Sequence, residues 1–77
     1  MRRRASVRRH VGLIRLLRMI RLLEARPRTV AALAQYFGMA PRTIWRDFTV
    51  IEAAGLTIEH TKGVTGVPGA YRIKRPR

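Results

Sequence analysis

The stretch that decides the fold is AQYFGMAPRTIWRDF, residues 34–48. It predicts the end of one short helix, a tight turn at Gly38 and the start of a second helix with a polar, basic outer face. Pro41 suits the first turn of that second helix, where its missing N–H costs nothing. Two helices joined by a glycine turn are the arrangement that holds a helix in the major groove of DNA.

The segments on either side of this stretch extend the pattern to three helices followed by one β-hairpin. The predicted helices cover about residues 11–25, 30–37 and 41–54, and the predicted strands cover residues 56–60 and 71–74. Thr29 is a good N-cap for the second helix, and Gly55 ends the third. The fold class expected is mainly α with a β-hairpin, a winged helix-turn-helix of three helices plus a two-stranded wing.

The chain length allows one small domain, since 77 residues leave no room for a second. We expect a flexible basic arm at residues 1–10, the winged helix-turn-helix domain at residues 11–74 and a basic tail at residues 75–77. The chain has no cysteine, which excludes disulfides and thiolate metal sites. A small core without such a staple often depends on a partner subunit for stability.

The charge balance points to a polyanionic partner. Lys and Arg total 17 against four acids, for a net charge of +13, and all but Lys62 and Lys74 are arginines. Positive charges in this excess repel one another, and binding to a polyanion relieves the repulsion. Nucleic acid is the first candidate for that polyanion, and an anionic membrane surface is the second. Arginine in particular suits phosphates and guanine edges.

The first helix carries more apolar residues than one face can hold. A stripe expected to face the core is formed by Leu13, Leu16, Ile20 and Leu23, and an arginine stripe on the opposite side by Arg15, Arg18 and Arg21. Further apolar residues outside the inward stripe are Ile14, Leu17, Met19 and Leu22. We expect this excess to form a homodimer surface. Alone, the segment would resemble a cationic membrane-surface helix, but it is needed to cover the other two helices.

The third helix separates into two faces at 100° per residue. The inward face holds Ile44, Phe48 and Ile51. The residues expected to contact DNA bases are Arg42, Trp45, Arg46 and Thr49, with Thr43 at the edge reaching a phosphate. The alternative is a merely solvated helix face, but a large aromatic on a polar side is uncommon without a contact surface. Asp47 sits beside the inward face and is expected to pair with Arg18 or Arg21.

Residues 33–48 resemble the DNA-binding segment of DeoR-type winged-helix repressors and WYL-domain regulators. The resemblance rests on a Leu-Ala pair before the glycine turn and on the run RTIWRD at residues 42–47, and it extends over about residues 12–74. It implies DNA binding and transcription control. These families usually carry serine where Ala40 stands, and they continue into an effector-sensing domain. Ligand sensing is therefore not implied for this chain. The alternative is that a larger partner protein supplies it.

Backbone contacts are also expected outside the third helix, in the hairpin loop because of the same resemblance and in the N-terminal arm because of its arginines. Lys62 and Thr65 in the hairpin loop suit the phosphates or the minor groove; the alternative is a plain turn. The arginines of the N-terminal arm are expected to add backbone contacts: Arg2, Arg3, Arg4, Arg8 and Arg9. The alternative there is a solubilising tail with diffuse phosphate attraction.

Other function classes find little support. The four acids fall on different elements, and His10 and His60 lack ligand-like spacing, so we expect no enzyme, no metal and no cofactor. No stretch is long and apolar enough to span a bilayer, so we expect no membrane partner. We expect a cytoplasmic, nucleoid-associated location. Two alternatives remain: a structural RNA- or ribosome-associated basic module with the same fold, and a membrane-active peptide.

Overall fold

Three helices precede a two-stranded antiparallel hairpin in the computed structural model, which describes residues 10–64, 66 and 68–74. The elements are α1 (Val11–Ala25), α2 (Val30–Phe37), α3 (Pro41–Ala53), β1 (Ile58–Thr61) and β2 (Ala70–Ile73). This order confirms the predicted winged helix-turn-helix fold, with the hairpin as the wing. All three helices lie within one residue of their predicted bounds.

Local signals place the boundaries of α2 and α3. The Thr29 hydroxyl accepts a hydrogen bond of 3.0 Å from the backbone N–H of Ala32, which satisfies one of the unpaired donors at the start of α2. Gly38 ends α2 in the left-handed conformation at φ 65°, which is cheap for glycine because it has no Cβ. Pro41 occupies the first turn of α3, and Ala40 before it supplies no side-chain cap.

The hairpin pairs Ile58 with Ile73 at one end and Thr61 with Ala70 at the other. Its strands are displaced by one or two residues from the predicted ranges at residues 56–60 and 71–74. A further short pairing, which the sequence pattern did not predict, joins Arg28 and Tyr71 through two backbone hydrogen bonds of 2.8 Å each. A single bridging residue between two helices has no alternation of apolar and polar residues from which a strand could be predicted.

The core is shared by all three helices and the second strand. Its buried side chains are Met19, Leu23, Leu33, Ala34, Ile44, Phe48, Ile51 and Ile73. Each element contributes at least one of them apart from β1, which covers the edge with the half-buried Ile58. The inward side of α3 therefore packs in a core to which α1, α2 and β2 also contribute.

The face of α1 that packs inward differs from the predicted stripe. Met19, expected outside it, is fully buried, whereas Leu13, expected within it, is 52% exposed. Arg15, expected on the outer side, turns inward toward α3. A helix that is apolar on most sides does not specify its own inward face, so packing against the rest of the chain makes the choice.

Candidate nucleic-acid interface

The exposed side of α3 carries the side chains expected to contact bases. Arg42, Arg46 and Thr49 are exposed, and Trp45 is 47% exposed. The opposite side is buried through Ile44, Phe48 and Ile51, as the periodicity predicted. Helical spacing thus brings two guanidinium groups, an indole and a hydroxyl onto one surface.

The two threonines of α3 have different surroundings. The Thr49 hydroxyl donates a hydrogen bond of 3.2 Å to the backbone oxygen of Trp45, one turn earlier. This bond engages the hydroxyl proton and leaves lone pairs on an exposed oxygen. Thr43 is half-buried, and its contact with a phosphate stays a prediction.

Asp47 is buried at 4% exposure and is held by an arginine of the first helix. Arg15 donates from Nε to Oδ2 at 2.7 Å and from Nη2 to Oδ1 at 3.0 Å. The predicted partners Arg18 and Arg21 were wrong, because the face of α1 that packs inward is the one that carries Arg15. The hydrogen bond to Asp47 raises the pKa of Arg15 against the opposing effect of burial.

This ion pair has two consequences for α3. It joins the middle of α3 to α1 with a bidentate contact that fixes geometry as well as distance. It also turns the Asp47 carboxylate inward and neutralises it, which keeps a negative charge away from the arginines of the exposed face. Asp47 therefore supports the surface without belonging to it.

Trp45 packs against other rings while half of it remains exposed. Its ring lies 5.6 Å from that of Phe48 and 5.3 Å from that of Tyr71, centroid to centroid, and both pairs are close to perpendicular. Edge-to-face geometry of this kind is favourable for aromatic pairs. The sequence pattern predicted Trp45 as a contact residue alone and gave no signal for its packing partner Tyr71, which is distant in sequence.

The wing continues the aromatic cluster away from α3. The Tyr71 ring also packs on Phe48 at 5.3 Å and stacks on the His60 imidazole at 4.5 Å across the hairpin. Arg72 donates to Glu59 at 3.0 Å on the exposed surface. Lys62 follows β1 directly and is exposed. The wing therefore presents a second cation besides Arg72.

Several predicted contact residues lie outside the part of the chain that the structure describes. They are Thr65 in the hairpin loop and Arg2, Arg3, Arg4, Arg8 and Arg9 in the expected arm. Within the described residues, no group of three His, Asp or Glu side chains could hold a metal ion. No helix among them has both the length and the apolar character needed to cross a membrane.

Comparison with known proteins identifies the family. The profile of the HTH domain matches residues 15–69, which is more than half of the chain and runs from the middle of α1 to the end of the hairpin loop. No curated protein and no solved structure gives a significant match. The chain belongs to the HTH domain family, a family of helix-turn-helix domains that bind DNA.

Proposed function

We propose that this protein binds a specific sequence of double-stranded DNA and regulates transcription, with α3 lying in the major groove. The observation that carries the proposal is the exposed side of α3, where Arg42 and Arg46 share one face with Trp45 on a helix whose other side is buried. A major groove about 12 Å wide admits one such helix. The family match supports the same partner.

Each residue of this face has a chemical role in the proposal. Arg42 and Arg46 each donate two hydrogen bonds to guanine O6 and N7, and Thr49 and Trp45 make apolar or polar contact with neighbouring bases. Thr43, at the edge of the face, donates to a phosphate. Arginine is favoured over lysine here because its planar fork matches two acceptors at once.

Contacts to the sugar-phosphate backbone fix the register of α3 in the groove. In the wing they are made by Lys62 and Thr65. In the arm they are made by Arg2, Arg3, Arg4, Arg8 and Arg9. Such contacts carry no sequence information themselves, but they supply affinity that falls with salt.

We further propose that the DNA-binding domain is of the DeoR or WYL-regulator type and that the protein acts as a homodimer. Leu13 and Leu17 of α1 are more than half exposed, and large exposed apolar side chains on one helix favour a protein contact. A two-fold dimer places two copies of α3 one DNA turn apart, about 34–36 Å, over an inverted repeat. We also propose that residues 1–10 are a basic arm, residues 11–74 the DNA-binding domain and residues 75–77 a basic tail. A larger partner protein supplies any ligand sensing.

Selection from a random pool of duplex oligonucleotides with the full chain tests the proposal. The expected result is an enriched motif made of two inverted half-sites with centres about 10 base pairs apart. Enrichment of a single half-site would remove the dimer and keep the DNA-reading role. A pool that gains no sequence preference would overturn specific recognition.

A competition experiment separates DNA from RNA as the partner. Labelled duplex DNA containing the selected motif is displaced with unlabelled motif DNA or with structured RNA of the same length, at one salt concentration. Matched salt is essential because the backbone contribution varies steeply with it. We expect motif DNA to displace the probe at lower concentration; equal or better displacement by RNA would favour an RNA-associated module.

A further inference from the structure

Tyr71 connects three separate segments of the chain. Its backbone pairs with Arg28, between α1 and α2, through two hydrogen bonds of 2.8 Å. Its ring lies between the rings of α3, at Trp45 and Phe48, and the His60 imidazole of β1. The wing is therefore attached to the body at Tyr71, which is half-buried, as well as at Ile73, which lies in the core.

The hairpin itself is too short to hold a fixed orientation. Its strands have four residues each, and the sheet has two strands. An isolated two-stranded hairpin is at best marginally stable in water. Its orientation on α3 must come from contacts with the body at its base, and the rings of Trp45 and Phe48 supply aromatic contacts to it from α3.

Trp45 differs from Phe48 in the way it makes this contact. Phe48 is a buried core residue, so its size is needed wherever the wing lies. Trp45 is about half exposed, so its packing on Tyr71 contributes less to the core and more to the angle between α3 and the wing. The near-perpendicular contact at 87° restricts both rings, because edge-to-face pairs are sensitive to relative orientation.

We propose that Trp45 is a positioning residue that sets the orientation of the wing on α3 through Tyr71. The contacts of the wing with the DNA backbone then depend on Trp45, whether or not the indole also touches a base. This consequence rests on the proposed function, whereas the positioning role itself concerns the protein without DNA. Helix and wing act as one reading surface rather than two independent ones.

Amide hydrogen exchange on the free protein tests the positioning role. The Trp45→Leu variant removes the ring contact at a half-exposed site, and Trp45→Phe keeps an aromatic ring there. We expect exchange at residues 58–61 and 70–73 to rise about tenfold in Trp45→Leu, with little change in Trp45→Phe and no change in the core of α2. Unchanged exchange in the hairpin of Trp45→Leu would overturn the proposal.

Tyr36→Leu is the matched control. Tyr36 is 62% exposed, and its ring packs on Phe37. The variant removes from α2 an exposed aromatic ring whose ring contact is with Phe37 rather than with Tyr71, so it should leave hairpin exchange as it is. A rise equal to that of Trp45→Leu would mean that loss of any surface ring loosens the wing, which contradicts a specific role for Trp45.

Duplex binding tests the consequence for DNA. Lys62→Ala is measured alone and in the Trp45→Leu background, and the two effects on the Kd are compared in a double-mutant cycle. We expect Lys62→Ala to weaken binding severalfold in the parent chain and much less in the variant background, because the wing is already displaced. Equal effects in both backgrounds, or no effect in the parent, would overturn the coupling. If the parent binds no duplex, the proposed function fails while the exchange result still decides the positioning role.

Discussion

Arg15 in α1 and Asp47 on the buried side of α3 form a bidentate ion pair. The Asp47 side chain is 5% exposed and the Arg15 side chain is 19% exposed. A charge this deeply buried is tolerated when its partner neutralises it and occupies its hydrogen-bonding sites. The pair therefore couples the seating of α3 to the integrity of α1.

Replacing Arg15 with alanine should destabilise the protein by about 3 kcal/mol or more, because it leaves the Asp47 carboxylate buried without a partner. Urea denaturation followed by circular dichroism measures the loss. The control is Arg72→Ala, which breaks the exposed pair with Glu59 and should cost less than about 1 kcal/mol. Equal losses for the two variants would contradict a structural role for the buried pair. The double variant Arg15→Met with Asp47→Leu should recover most of the loss, since no charge is then left unpaired.

Ala40→Ser should stabilise the protein by about 1 kcal/mol. Ala40 precedes α3 in an extended conformation at φ −68° and ψ 148° and makes no side-chain hydrogen bond. A serine hydroxyl there can accept from the first turn of α3, as the Thr29 hydroxyl does at the start of α2. Thr29→Ala is the matched reverse change and should lower stability by a similar amount. A melting temperature unchanged by Ala40→Ser would mean that Pro41 already satisfies this end of the helix.

Gly69→Ala should destabilise the hairpin by about 1–3 kcal/mol through overpacking. A Cβ at this position would collide with the His60 imidazole and lie 2.8 Å from the Thr61 carbonyl oxygen. The carbonyl cannot move without disturbing the pairing of Thr61 with Ala70. Gly12→Ala in α1 is the control, because no atom lies within 4 Å of its added Cβ; it should leave the melting temperature unchanged or raise it. Similar losses at both sites would argue against a steric cause.

Arg46→Ala should weaken binding to the selected DNA site by about 1–3 kcal/mol and relax sequence preference at one position. Arg21→Ala removes the same charge from an exposed position on α1 and controls for net charge. Binding to the selected site and to single-base variants of it is measured by fluorescence anisotropy. A loss that is equal for every sequence would reassign Arg46 to backbone contact.

Deleting residues 2–9 should flatten the salt dependence of DNA binding. The segment contains five arginines, and each phosphate contact contributes about 0.9 to the slope of log K against log salt on duplex DNA. Binding is measured over a series of salt concentrations, and the selected motif should stay the same. An unchanged slope would remove the arm from the interface.

The fold and one face of the site could be predicted because their signals are local. Thr29, Gly38 and Pro41 mark helix ends by properties of their own backbone and side chains. The two sides of α3 follow from a clear periodicity, and Arg42 and Arg46 reach solvent as that periodicity requires. The strand bounds were displaced because short alternation does not define a register.

What the sequence alone determined is the order and extent of the elements, the basic character of the chain and the outward side of α3. Tertiary structure decided which face of α1 packs inward, that Arg15 rather than Arg18 or Arg21 holds Asp47, and that Trp45 joins the wing through Tyr71. The physical reason is that helix ends and turns depend on neighbouring residues along the chain, whereas these contacts join segments far apart in sequence. These long-range contacts form when the whole core is assembled.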